Sequence, residues 1–244
     1  MKPKIIFKTT YMKLVEEVKA ESKRKFDFIM PSMPMIEACR ADEFDFFQPF
    51  IDSGMLGESQ MHRAAERYYL GKSRSGKPIF WMIDDMMDPL DAHIGDTWIS
   101  GLLKKREPLL QYWPVKHCLF GLHLLYQTSV VGNSQSPTEN ISIVENEASA
   151  VVLSELFPET IWMAYATTGH LVPDLLAPLE GCTVTIYPRT DPTMSNYMFF
   201  LDYAKIIRKH YNINLRIDST LEYNTTAEQK ERCVDLLDFI LKTS

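Results

Sequence analysis

Closely spaced cysteines, long apolar runs and an excess of basic residues are all missing from this sequence of 244 residues. No stretch reaches the roughly 18 unbroken apolar residues of a membrane helix, so we expect no membrane partner. The first 25 residues carry charges every few positions, which argues against a signal peptide. No C-x-x-C pair occurs, so no zinc site is expected, and reduced thiols in a cytoplasm are the simplest interpretation of the four cysteines, Cys39, Cys118, Cys182 and Cys233.

The chain carries a net charge of −6, and its charges are unevenly spread. Residues 141–200 contain one basic residue against seven acidic ones, a block that repels phosphate unless a cation intervenes. Nucleic-acid binding needs clustered basic residues, and two clusters occur. Either cluster is also compatible with an ordinary solvated helix face. The clusters are Lys19 with Lys23, Arg24 and Lys25, and the run of Lys104, Lys105 and Arg106.

The N-terminal part has a mixed pattern. We predict helices over residues 11–25, 42–53 and 58–70, a strand over 78–83, and an irregular acidic stretch over 84–95. His117, Cys118 and His123 match no common zinc spacing, which favours a packed turn or helix. Trp98, Tyr112 and Trp113 flank the second basic cluster, where they either stack on bases or pack a small subdomain. Residues 126–139, rich in Ser, Asn, Gly and Pro, are typical of a linker.

The C-terminal part alternates short apolar strands with helices. We predict strands over 141–145, 160–165, 183–187 and 213–217, with helices over 147–157, 173–179, 197–209 and 227–241 between and after them. Asn146 is a suitable cap for the first of these helices. Such alternation is typical of a parallel sheet with right-handed crossovers, in which ligands bind beyond the carboxyl ends of the strands.

Two carboxylates fall at those strand ends. Glu145 ends an apolar strand, where a carboxylate is costly unless it has a partner or faces a cleft. It is either a general acid/base or metal ligand, or a carboxylate bonded to the start of the next helix. Asp191 follows the third strand and is either a turn residue before Pro192 or, together with Glu145, a ligand of Mg²⁺.

Several strings in this sequence resemble the Toprim domain of bacterial primases, topoisomerases and related nucleases. They are Ile141 to Glu147, Ala166 to Gly169 and Ile186 to Asp191. A second likeness, to primase-like proteins of mobile elements, is found in residues 69–71, 79–84 and 118–125 and in the tail 235–240. The resemblance implies a Toprim-like parallel sheet flanked by helices behind a smaller mixed α+β region. It implies a primase-like subdomain over 41–130 and a Toprim-like domain over 140–244, while the charged helical pattern alone predicts a helical N-terminal arm over 1–40.

In Toprim enzymes a strand-end glutamate acts as acid/base, and an Asp-x-Asp pair helps to bind Mg²⁺. Carried over, the resemblance makes Glu145 the catalytic residue, and Glu145 and Asp191 the metal ligands. Arg189 stands where the first aspartate is expected, and its positive charge opposes Mg²⁺ binding. Asn146 replaces the usual glycine, and acidic residues replace a basic stretch after residue 84. Each departure weakens metal or nucleic-acid binding.

Three functions remain open at this stage. The first is a degenerate Toprim-like protein of DNA replication or mobile-element maintenance that binds DNA, RNA or a replication protein without chemistry. Its nucleic-acid contacts would be Arg189, Lys104, Lys105 and Arg106. The second is an active Mg²⁺-dependent primase or nuclease, which the arginine at position 189 argues against. The third is a protein-interaction module, which the net acidity favours.

Overall fold

A computed structural model describes residues 31–95, 97–106, 116–125 and 140–243. The predicted helix over 11–25, the predicted linker over 126–139, and Tyr112 and Trp113 lie outside the described residues. Two four-stranded sheets organise the described part of the chain. Within these ranges, no helix is long and apolar enough to cross a membrane.

The first sheet is antiparallel, and its strands lie side by side in chain order. The predicted strand over 78–83 is confirmed as β2, whose side chains after Pro78 are all buried. Four α-helices and one 3₁₀ turn, Asp45–Phe47, accompany the sheet. The strands are β1 Gly71–Lys72, β2 Pro78–Ile83, β3 Pro89–Ile94 and β4 Thr97–Trp98, and the helices are α1 Met33–Cys39, α2 Gln48–Asp52, α3 Glu58–Arg67 and α4 Ile99–Arg106.

The predicted irregular stretch over 84–95 is confirmed for the turn over 84–88 but wrong for its second half, which forms β3 and pairs with β2 in a hairpin. The carboxylate of Asp84 builds the turn by accepting hydrogen bonds from the backbone amides of Met86 and Asp88 at 2.9 and 2.8 Å. Asp91 interrupts the apolar pattern of β3 yet is buried, because the Ser100 hydroxyl donates to it. Because a hydrophobicity pattern counts an acidic residue as exposed, it did not indicate that this segment is a strand.

The second sheet is parallel, with strand order β6-β5-β7-β8. All four predicted strands are confirmed within two residues at either end, and so is the α/β class. Ile143, at the centre, pairs with Met163 on one side and Ile186 on the other. The strands are β5 Asn140–Val144, β6 Ile161–Ala164, β7 Thr183–Ile186 and β8 Asn214–Ile217.

The helices of this half follow the predictions up to His210, whereas the short helix Thr220–Asn224 was not predicted. Asn146 caps α5, because its side chain accepts from the amides of Ala148 and Ser149. The predicted helix over 173–179 is a 3₁₀ helix, and the single helix predicted over 227–241 is wrong. Cys233 interrupts it with a φ of 50°. The helices are α5 Glu147–Leu156, α6 Ser195–His210, α7 Thr220–Asn224, α8 Ala227–Glu231 and α9 Leu236–Thr243.

The two sheets share one hydrophobic core, to which Phe47 and Phe80 contribute from the first half and Val151 and Trp162 from the second. The buried carboxylate of Glu155 in α5 pairs with Arg63 and Arg67 of α3. The segment before the predicted linker joins the second sheet, since Phe120 bridges to Ala164 at the end of β6. The halves therefore pack against each other and leave a cleft between them.

Candidate functional site

The order of the parallel strands defines where a ligand is expected. From central β5 the chain crosses to β6 on one side and then returns to β7 on the other. The connections leaving β5 and β7 therefore diverge, and a crevice opens beyond the carboxyl ends of these two strands. Glu145 directly follows β5, and Arg189 lies three residues after β7. Both of these sequence-predicted site residues line a cleft of about 550 Å³ at this point.

Glu145 and Arg189 form an ion pair across the switch point. The guanidinium Nε lies 2.9 Å from Oε2 of the carboxylate. The carboxylate is the more buried partner, with its side chain 17% exposed against 50% for the arginine. A strand-end carboxylate in apolar surroundings thus has a cation beside it, and half of that cation still faces solvent.

Asp191 makes the local hydrogen bonds expected of a turn residue, the first of its two predicted roles. Its carboxylate accepts hydrogen bonds from the backbone amides of Thr193, Ser195 and Asn196, at 2.8, 3.1 and 2.7 Å, and from the hydroxyls of Thr193 and Ser195. Partial burial acts to raise the pKa of Asp191, but these hydrogen bonds outweigh it and hold that pKa well below its usual range. Asp191 anchors the start of α6 and does not line the cleft.

Three further carboxylates line the cleft, and the sequence interpretation missed them. Glu147 lies in the first turn of α5 and pairs with His93 of β3, with Oε1 2.7 Å from Nδ1. This contact joins β3 of the first sheet to α5 of the second half. Asp235 and Asp238 lie at the start of α9, where the Asp238 amide donates to Asp235 at 2.9 Å. For Asp235 and Asp238 the sequence signal was the acidic start of α9, which the prediction of one continuous helix over 227–241 concealed.

Burial raises the pKa of two carboxyl groups that line the cleft, those of Glu145 and Asp235. Burial raises the pKa of Glu145; Arg189 opposes this rise, while the charges of Asp235 and Glu147 add to it. Burial also raises the pKa of Asp235, against the hydrogen bonds that it accepts. Tyr165 lies beside the Glu145 carboxyl group, and its buried Oη has no hydrogen bond of ordinary geometry.

The residues do not fit a Mg²⁺ ion held by Glu145 and Asp191. The carboxylate of Asp191 is used by the start of α6, and a guanidinium lies on Glu145. Mg²⁺ needs oxygen ligands in near-octahedral geometry. In the described ranges, no group of three or more His, Cys, Asp or Glu side chains is arranged to hold a metal ion.

The wall of the cleft opposite the helix starts is apolar. Phe46, which is half-buried, and Phe80 line it with ring centroids 6.0 Å apart. Pro78 of β2 also lines the cleft from this half, while Ala166 lines it beside Glu145, to whose carbonyl its amide donates at 2.9 Å. The cleft therefore combines carboxylates, the Arg189 guanidinium, the His93 imidazole and two phenylalanine rings.

The predicted basic cluster lies on α4 rather than in the cleft. Lys105 is exposed there, and the side chains of Lys104 and Arg106 lie outside the described part. Trp98 stacks on His93, with ring centroids 4.9 Å apart and planes at 19°. The second basic cluster stays a prediction for nucleic-acid binding.

Residues 45–190 match DUF6371, a domain of unknown function. This range includes both sheets up to β7, together with Glu145, Glu147 and Arg189, and ends before Asp191, Asp235 and Asp238. No curated protein matches the chain.

Proposed function

Since this chain belongs to the DUF6371 family, a domain of unknown function, we propose its role from the cleft. The protein is a degenerate Toprim-like module of the cytoplasm that binds a partner in DNA replication or mobile-element maintenance. It does not carry out Mg²⁺-dependent phosphotransfer. The sequence resemblance supports the context, and the strand order with Glu145 at its switch point is compatible with it.

The ion pair between Glu145 and Arg189 carries this proposal. In the Toprim pattern the position of Arg189 belongs to an aspartate that helps to bind Mg²⁺. A guanidinium there both removes a negative ligand and neutralises the glutamate that would act as acid/base. Two-metal or one-metal phosphoryl transfer needs a dense group of carboxylates on the metal. The arrangement at the end of β5 and β7 favours binding over catalysis.

A charge reversal at position 189 tests whether the site is a degenerate metal site. We expect the melting temperature of the wild-type protein to be insensitive to millimolar Mn²⁺, and Arg189→Asp to gain a Mn²⁺-dependent rise because it restores a carboxylate beside Glu145. Arg189→Gln, which removes the cation without adding a ligand, is the matched control and should gain little. A Mn²⁺-dependent rise in the wild type that Glu145→Gln removes would contradict the proposal and support an active enzyme.

Direct nucleic-acid binding by Arg189 is a second candidate, favoured by the half exposure of this side chain. Its Nε faces Glu145, while its terminal nitrogens are the donors suited to a phosphate. This candidate predicts salt-dependent binding of a single-stranded oligonucleotide that is lost in Arg189→Gln and strengthened in Glu145→Gln. Binding that is unchanged in both variants would remove Arg189 from consideration.

A further inference from the structure

We propose that the cleft is the docking site for an arginine side chain of a protein partner. This inference rests on the proposed function and names the chemistry that the cleft recognises. It depends on the charge of the lining, on the aromatic wall and on a buried hydroxyl beside Glu145.

The lining is strongly complementary to a cation. Four carboxylates, those of Glu145, Glu147, Asp235 and Asp238, face a single guanidinium, that of Arg189. Asp238 is exposed at the mouth, whereas Glu147 is 4% exposed and held by His93. An incoming anion is repelled by this excess, while a cation gains attraction that strengthens away from bulk water.

The aromatic wall distinguishes a guanidinium from other cations. Phe46 is the accessible ring of a cluster in which its centroid lies 5.4 Å from that of Phe44 and 6.0 Å from that of Phe80. A planar guanidinium stacks on such a ring while its edge donates paired hydrogen bonds to a carboxylate. An ammonium group lacks both the plane and the fixed fork of donors.

A buried hydroxyl, that of Tyr165, lies beside the Glu145 carboxylate of the cleft. Tyr165 is 3% exposed, and its Oη lacks an ordinary hydrogen bond beside Glu145. Buried polar atoms are nearly always hydrogen-bonded in folded proteins, so the Tyr165 hydroxyl can accept a hydrogen bond from an additional group beside Glu145. Arg189 already shows that a guanidinium can lie against this carboxylate.

Binding of short peptides to the full chain tests the inference. The probe is a nine-residue Gly/Ser peptide with one central arginine, and the matched peptides carry lysine or glutamine at that position. We expect the arginine peptide to bind, the lysine peptide to bind more weakly, and the glutamine peptide to bind at least about tenfold more weakly. Equal binding of all three peptides, or no binding, overturns the inference.

Variants of the lining locate the bound side chain. Asp238→Asn should weaken the arginine peptide about three- to tenfold, and Phe46→Leu about two- to fivefold, because the leucine keeps apolar bulk but removes the ring. Arg189→Gln should tighten binding by removing a like charge. Asp202→Asn, an exposed carboxylate on α6, is the matched control and should change nothing.

Failure of the inference is distinguishable from failure of the proposed function. A wild-type protein that shows no Mn²⁺ response and no peptide preference contradicts the inference alone. A Mn²⁺ response in the wild type contradicts the proposed function whatever the peptides do. Arginine-peptide binding that is lost, rather than tightened, in Arg189→Gln overturns the docking geometry.

Discussion

At the scale of single residues, Glu145 combines a buried carboxylate with a half-exposed cation. Burial of an acid is tolerated when a partner compensates for lost hydration, and Arg189 supplies part of that compensation. The pKa of Glu145 is nevertheless raised, so burial outweighs the arginine. Ionisation of this side chain therefore lowers the free energy of unfolding. The same ionised carboxylate is the group that a cationic ligand would contact.

Replacing Glu145 by glutamine should flatten the dependence of stability on pH. The folded-state pKa of Glu145 lies above its ordinary value of 4.5, so its stabilising contribution is complete below pH 4.5 and is lost as the pH rises through the raised value. Glu145→Gln cannot ionise, and its free energy of unfolding should fall less across this range in urea titrations at several pH values. Glu43→Gln, at an exposed position, is the control; identical slopes for wild type and Glu145→Gln would contradict the account.

His123 should destabilise the protein in acid. It is fully buried, and burial lowers its pKa from 6.5 to about 4, although its hydrogen bond to the Arg67 carbonyl opposes this shift. Because the unfolded chain takes up a proton first, stability falls as the pH drops from 6.5 through 4, by at most ~3 kcal/mol. His123→Gln should remove most of this fall, and the exposed His210→Gln should leave it unchanged. A wild-type stability that stays constant between pH 7 and 4 would be inconsistent with a buried neutral histidine.

At the scale of elements, helix starts position the polar groups around the switch point. Asn146 caps α5 and leaves Glu147 facing the cleft, while Asp191 anchors α6. Asp235 accepts hydrogen bonds from the Asp238 amide and from the Ser149 hydroxyl, which joins the start of α9 to α5. Carboxylates near helix N-termini are favoured by the helix dipole, which helps the fold to accommodate them.

Loss of the Asp191 carboxylate should affect stability rather than metal binding. Asp191→Ala removes the acceptor for three backbone amides at the start of α6 and should cost about 1–2 kcal/mol of unfolding free energy. Asp191→Asn keeps one oxygen acceptor and should cost less. Thermal denaturation with and without Mn²⁺ measures both effects. A Mn²⁺ response in wild type that Asp191→Ala abolishes at unchanged stability would make Asp191 a ligand instead.

The sequence predicted the elements better than it predicted the site. Strand periodicity located all four parallel strands, and the Asn146 cap located the start of α5. The break at Cys233 carries no glycine or proline signal, so the acids at the start of α9 were hidden in a predicted helix. The sequence could not predict where the Asp191 carboxylate points, because that depends on hydrogen bonds to the following turn. It could predict that Glu145 and Arg189 lie close together, because the ends of parallel strands meet at one edge of the sheet.

At the scale of the whole molecule, packing of α3 on α5 holds the two halves together and so fixes the cleft. The buried Glu155 lies between Arg63 and Arg67, which keep partial access to water. One core continues from the first sheet to the second. The walls of the cleft, with Phe80 on one half and Glu145 on the other, therefore depend on this interface.

Glu155→Ala should weaken the whole protein rather than one half. The substitution leaves Arg63 and Arg67 without their shared partner and opens space in the interface, which should cost about 2–4 kcal/mol. Both sheets should still unfold in one transition, as followed by tryptophan fluorescence and circular dichroism together. The exposed Asp202→Asn should change stability by less than about 0.5 kcal/mol. Separate transitions for the two probes would show that the halves fold independently.

The most direct test of the central claim is the anomalous scattering of wild-type crystals soaked in Mn²⁺. Arg189, rather than a metal ion, should occupy the face of Glu145 beyond β5. We predict no manganese peak at Glu145, with Arg189 Nε still in contact with its carboxylate. A manganese ion bound by Glu145 and Asp191, with the guanidinium displaced, would contradict this account.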